Sequence, residues 1–144
     1  MDFGLAVFDK FEVKGPRSGS VGTPQYQPPE QAEVGGRYGK IGPWSDVYGL
    51  AATLFHLLTG APPFEGTDRT QIRKQVLTVE PPVIRDLNPR VPQEIADVID
   101  KAMAKKPAER YATPAEFGKA LTALQEKFAK GTRKKPPEKR GWFR

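Results

Sequence analysis

Apolar residues are spread unevenly along this chain, and each stretch has its own period. From Val47 to Leu58 they crowd together. Val47, Leu50, Ala51, Ala52, Leu54, Phe55, Leu57 and Leu58 fall on almost every side of a helical projection. A helix apolar all round belongs in the middle of a fold. Ser45 or Asp46 is placed to cap its start, Gly60 to end it, and Pro62-Pro63 forbids continuation. Further on, Ile95, Val98, Ile99, Ala102 and Met103 recur at i, i+3, i+4, i+7 and i+8, which predicts a helix from Pro92 to Ala104. Thr113-Pro114-Ala115-Glu116 reads as a capping box with proline at the first helical position. Phe117, Ala120, Leu121, Leu124 and Phe128 then carry one apolar face to Ala129. A shorter helix, capped by Thr67 or Asp68, is expected to reach Val79, and the Pro-rich residues 80–92 are expected to be extended.

Residues 5–43 behave differently. Glycine and proline recur (Gly15-Pro16, Gly22, Pro24, Pro28-Pro29, Gly35-Gly36, Gly42-Pro43) and no period emerges. Loops of that length are usually functional. No β-strand of useful length and no internal repeat is legible. The expected fold is mainly α, behind one long N-terminal loop.

Composition narrows the chemistry. The 144 residues contain no cysteine and one histidine. That excludes a disulfide scaffold, a thiolate metal site and a cysteine nucleophile. His56, set within the apolar helix with no second histidine, reads as a packing or surface residue and not a ligand; Met103 reads as core. The longest apolar run, Leu50 to Leu58, falls well short of the about 20 residues a membrane span needs. The acidic start Met1-Asp2-Phe3-Gly4 lacks a signal-peptide pattern, so a cytoplasmic location is expected.

The net charge of +6 lies entirely in the tail. Residues 130–144 hold seven basic residues and one acid, whereas 1–129 hold 16 of each sign. The domain itself is balanced, which argues against a nucleic-acid-gripping face. The Pro-containing tail reads as a solvated linker. A membrane-proximal role stays open, because basic residues attract anionic lipid and Trp142-Phe143 suits an interface.

Five motifs follow in order: Asp2-Phe3-Gly4; Gly22-Thr23-Pro24-Gln25-Tyr26-Gln27-Pro28-Pro29-Glu30; Ser45-Asp46-Val47-Tyr48-Gly49-Leu50; Leu57-Leu58-Thr59-Gly60-Ala61-Pro62-Pro63-Phe64; and Lys106-Pro107-Ala108-Glu109-Arg110. Over residues 2–128 their order and spacing closely resemble the second half of a protein kinase catalytic domain, of the eukaryotic-like serine/threonine type found in bacteria. The resemblance implies a mainly α C-terminal lobe without the N-terminal β lobe. Residues 1–129 would be a partial kinase domain, with 1–30 as activation segment and 44–129 as helical lobe, followed by the 130–144 tail.

The same resemblance assigns roles. Asp2 would ligate the Mg²⁺ bridging the ATP phosphates, as suits a hard cation. Thr23 would lie in the substrate loop with its hydroxyl toward the catalytic aspartate, favouring serine or threonine substrates. Glu30 would pair with Arg110, and Asp46 would accept hydrogen bonds from the catalytic-loop backbone; these three are structural anchors. Ser18 and Ser20 are candidate phosphosites or plain spacers. Pro28 replaces the family's usual alanine and Gln27 a large apolar residue, which implies an altered substrate pocket.

No Gly-x-Gly-x-x-Gly and no His-Arg-Asp occurs in these residues. The Gly-rich loop, the phosphate-binding lysine and the catalytic Asp and Asn are therefore absent. The chain alone is expected not to transfer phosphate and to hold ATP and Mg²⁺ weakly, if at all. Its partners would be a protein substrate and the missing N-terminal half of the kinase. A mis-started reading, a gene remnant and one chain of a split kinase stay open as origins. The alternative function is a non-catalytic binding module derived from a kinase. About four or five large apolar side chains of the central helix are expected to stand bare, a loss of about 6–15 kcal/mol.

Overall fold

The computed structural model describes residues 23–132. Asp2, Ser18, Ser20 and most of the 130–144 tail lie outside these. Among the described residues the fold is helical, with no strand. Six α-helices follow one another: α1 (Pro29–Ala32), α2 (Pro43–Thr59), α3 (Arg69–Thr78), α4 (Ile84–Leu87), α5 (Gln93–Ala102) and α6 (Pro114–Thr132). Short 3₁₀ turns at Pro24–Tyr26 and Pro107–Glu109 complete the order.

Helix α2 is the central element, packed against α4, α5, α6 and the Pro24–Tyr26 turn. It starts earlier than the sequence predicts. Gly42 is the N-cap and Pro43 opens the helix, where its fixed φ and missing N–H cost nothing. Ser45 sits one turn in, and its Oγ accepts from the Gly42 N–H at 3.1 Å. Gly60 ends the helix at φ 84°, and its N–H donates to the His56 carbonyl at 2.8 Å. Only this left-handed conformation closes the last turn, and glycine reaches it without strain.

The apolar-all-round reading of α2 needs correction. Val47, Tyr48, Ala51, Ala52 and Phe55 are buried, whereas Leu50, Leu54 and Leu58 are half-buried. Asp46, Thr53 and Leu57 form an exposed row, with Leu57 76% exposed. Leu57 is the one large apolar side chain of α2 that stands bare, so the expected exposure of about four or five does not arise. The α5 and α6 stripes cover the rest: Ala96, Ile99, Ala102, Met103 and Phe117 join the α2 residues, Ile84 and Val91 in one core.

Two other boundaries differ. Within the stretch expected to be extended, Ile84–Leu87 forms a single helical turn, because Ile84 is drawn fully into the core. The last helix continues past Ala129 to Thr132. At its start Thr113 Oγ1 accepts from the Glu116 N–H at 3.2 Å, while Glu116 reaches back to the Ala112 N–H at 3.1 Å. For α3 the cap is Asp68, which accepts from the Gln71 N–H at 2.8 Å.

A second, smaller core of Phe64, Ile72 and Val76 holds α3 beside Ala32. Lys105 joins the two halves. Its Nζ donates to the Val76 carbonyl at 2.8 Å and lies 5.0 Å from the Phe64 ring centre.

Burial has a pH consequence. It pushes the Tyr48 hydroxyl well above tyrosine's ordinary value; Arg110 opposes this in part, and Glu30 and Glu80 add to it. The folded state therefore keeps a proton that the unfolded chain releases near pH 10. Stability is intact below that pH and falls as pH rises beyond it. Lys105 works the other way. Burial lowers its pKa, so its contribution is present above lysine's ordinary value and lost as pH falls. The Tyr48 shift is the larger, so stability should decline above about pH 10. Urea denaturation across the alkaline range should show Tyr48→Phe removing most of that decline; an unchanged slope would assign it elsewhere.

Candidate functional site

The segment Thr23–Glu30 opens the described residues and leads into the helical body. Thr23 is exposed, in extended backbone (φ −79°, ψ 117°), and its carbonyl accepts from the Tyr26 N–H at 3.2 Å. Pro24 then opens the 3₁₀ turn with its φ already set. The turn presents Tyr26 to α2. Tyr26 Oη lies 2.6 Å from His56 Nδ1, and the two rings stack with centres 6.0 Å apart. With the imidazole proton on Nε2, the hydroxyl donates to Nδ1. His56 is thus partly buried and hydrogen-bonded. Its partner lies 30 residues away, so no local pattern points to it.

Beyond the turn, Gln27, Pro28, Pro29 and Glu30 are all buried. Pro28 caps α1 and Pro29 occupies its first position. This places Glu30, fully buried, against Arg110, 80 residues later. The geometry is a bidentate fork: Arg110 Nη1 donates to Glu30 Oε1 at 2.7 Å and Nη2 to Oε2 at 2.9 Å. The remaining donor capacity goes to three carbonyls. Nε donates to Ala104 at 2.6 Å, Nη1 to Trp44 at 3.2 Å and Nη2 to Lys105 at 3.1 Å. Ser45 Oγ donates to Glu30 Oε1 at 2.7 Å. The guanidinium also lies 5.0 Å from the Tyr48 ring centre. Every polar atom is satisfied, the condition under which a buried pair holds. The Ser45 and Trp44 contacts are absent from any sequence signal, since Ser45 reads only as a cap.

Asp46 is exposed at the start of α2 and takes no part in these hydrogen bonds. Among the described residues no group of three or more His, Cys, Asp or Glu side chains gathers in a way that could hold a metal ion. The one residue assigned to Mg²⁺, Asp2, lies outside them. No described helix is long and apolar enough to cross a membrane.

Thr23 through Glu30 thus runs from an exposed end at Thr23 into the interior and is clamped at two points, by Tyr26 to α2 and by Glu30 to the loop before α6. A family model for the protein kinase domain matches residues 1–128. The chain belongs to the protein kinase family. Its curated relatives include bacterial serine/threonine kinases. The serine/threonine-protein kinase PknF of Mycobacterium tuberculosis is 42% identical over 107 residues, 71% of this chain. PrkC of Bacillus subtilis is 38% identical over 112 residues, 78% of the chain, and the probable kinase PknB of Corynebacterium glutamicum 36% over 130 residues, 86% of it. The matched stretches amount to 20%, 17% and 20% of those proteins' own lengths. Within the kinase domain, the helices seen here form a C-terminal lobe.

Proposed function

We propose that this chain is the substrate-bearing C-terminal part of a serine/threonine protein kinase, and that the complete domain transfers the γ-phosphoryl group of ATP to a Ser or Thr hydroxyl of a protein. The clamp between Glu30 and Arg110 carries this reading, since it holds the Thr23–Glu30 segment rigidly against the helical body. Phosphoryl transfer rests on positioning and charge stabilisation, so a fixed platform for the acceptor segment is a working part of it. Thr23, exposed at the head of that platform, is the residue we assign to the acceptor side. ATP and Mg²⁺ would supply the phosphoryl donor and its charge neutralisation in the complete domain, with Asp2 as a metal ligand. Asp46, bare on α2, would anchor the catalytic loop. The setting is the cytoplasm.

The 144 residues alone lack the phosphate-gripping lysine and the proton-accepting aspartate. Incubated with ATP, Mg²⁺ and a generic protein substrate they should show no turnover. Fused behind the front half of a bacterial relative, the lobe should support turnover in the range of about 1–100 s⁻¹, and Asp2→Ala in that fusion should abolish it. Turnover near about 1 s⁻¹ by the chain alone would overturn the division of labour. A folded but inert fusion that still binds protein would favour a docking module instead.

A further inference from the structure

A threonine hydroxyl inside a helix commonly bonds back to the carbonyl four residues earlier. Of the seven threonines from Thr53 to Thr122, four do so: Thr53, Thr59, Thr78 and Thr122 donate to Gly49, Phe55, Lys74 and Gly118. Thr67 Oγ1 donates to Gln71 Oε1 at 3.3 Å, and Thr113 Oγ1 accepts from the Glu116 N–H at 3.2 Å. Thr70 is the exception. It is the second residue of α3, so the residue four places earlier, Gly66, precedes the helix and offers it no helical carbonyl. The Thr70 side chain is exposed and takes part in no hydrogen bond.

The surroundings of that hydroxyl are cationic. Arg73 and Lys74 lie at i+3 and i+4 from Thr70, the spacing at which side chains on one helix meet. With Thr70 they line a cavity of about 440 Å³, which Arg37 and Glu33 also line. Arg37 is held in place, since its Nη2 donates to the Leu77 carbonyl at 2.9 Å. Arg73 and Lys74 are exposed, and their side chains enter neither of the two ion pairs among the described residues, Arg110–Glu30 and Lys127–Glu94, nor any hydrogen bond. Three cations against one carboxylate leave +2 around an unengaged hydroxyl. Asp68, the nearest other acid in the chain, is committed as the helix cap to the Gln71 N–H at 2.8 Å.

We infer that Thr70 is a phosphorylation site whose phosphate is held by Arg73 and Lys74. The donor is ATP, and the enzyme is a complete serine/threonine kinase acting on this chain in trans. The Thr70 Oγ1–phosphorus bond forms as the bond from the γ-phosphorus to its bridging oxygen breaks. ADP leaves, and the hydroxyl proton passes to that enzyme's catalytic base. The inference does not rest on this chain's own activity. Phosphothreonine carries roughly −2, which takes the cavity from +2 to about zero. Hydrogen bonds from guanidinium or ammonium to phosphate are the strong, charge-assisted kind. Arg73 and Lys74 reach the phosphate from the next turn, and Glu33 opposes it by like charge. Thr70 is thus a charge switch on α3.

Two measurements on the full 144-residue chain test this. In the first, the chain is incubated with ATP, Mg²⁺ and the catalytic domain of a bacterial serine/threonine kinase, and the modified positions are mapped by tandem mass spectrometry. Phosphate should appear on Thr70, persist at that position in Thr70→Ser and vanish from it in Thr70→Val. Thr53, Thr59, Thr78 and Thr122 should stay unmodified. No phosphate at Thr70 overturns the assignment, whatever else is modified. The second measurement needs no kinase: phosphoserine is built in at position 70 during synthesis and titrated by ³¹P NMR. Nearby cations favour the dianion, so its second ionisation should fall below the value of about 6 of a free phosphate ester. Arg73→Gln with Lys74→Gln should return it toward that value, and the control Arg85→Gln with Arg90→Gln should leave it lowered. An unlowered midpoint in the parent, or one that the α3 variant does not move, overturns the role given to Arg73 and Lys74. Failure of the kinase reading would appear separately, as an inert fusion with both results intact.

Discussion

Arg110→Ala should destabilise the helical lobe by about 3–5 kcal/mol, measured by urea denaturation of the chain. The reason is what the substitution leaves behind. Glu30 is fully buried, and without the guanidinium its carboxylate keeps only the Ser45 hydroxyl. The carbonyls of Trp44, Ala104 and Lys105 lose a donor at the same time. Each buried polar group without a partner costs its full desolvation. Arg110→Lys should recover only part of the loss, since one ammonium cannot serve two carboxylate oxygens and three carbonyls. Glu30→Leu combined with Arg110→Met should cost clearly less than the two single changes added together, because no charge is then stranded. A cost below about 1 kcal/mol for Arg110→Ala, the range of an exposed pair, would show that water reaches the clamp.

The second large effect separates two residues that the sequence makes look alike. Phe55 and Leu57 both lie in the apolar run of α2, two positions apart. Phe55 is 1% exposed and sits in the main core, whereas Leu57 is 76% exposed. Phe55→Ala should cost about 3–5 kcal/mol, from lost transfer energy and the cavity left between α2 and its neighbours. Leu57→Ala should stay within about 0.5 kcal/mol. Denaturation midpoints of the two variants at equal m-value give the comparison directly. A large cost at Leu57 would mean that the outer row of α2 is covered in solution. In the active fusion the contrast should shrink, if the added half covers that row.

Helix existence was largely readable from the chain. The stripe of α5, the capping box before α6, the glycine stop of α2 and the Asp68 cap of α3 are all local devices, made by residues within about one turn of each other. Local spacing survives into the folded state, so it can be read without knowing the fold. The order of the five motifs made the kinase resemblance legible in the same way. Glu30 and Arg110 entered through that resemblance and not through any pattern of their own.

What the sequence determined by itself is thus the helical class, most helix positions, the confinement of excess charge to the tail and the identity of the motif residues. Tertiary structure alone decided the rest. It turned Ser45 from a cap into a ligand of Glu30, brought Tyr26 to His56, drew Ile84 into the core and bent Pro-rich chain into a turn, left Leu57 bare, and set Arg37 opposite Arg73 and Lys74. The reason is common to all of these. Each depends on groups well beyond one helical turn of each other in sequence, and only the packing of α2 against its neighbours fixes which of them meet and which face water.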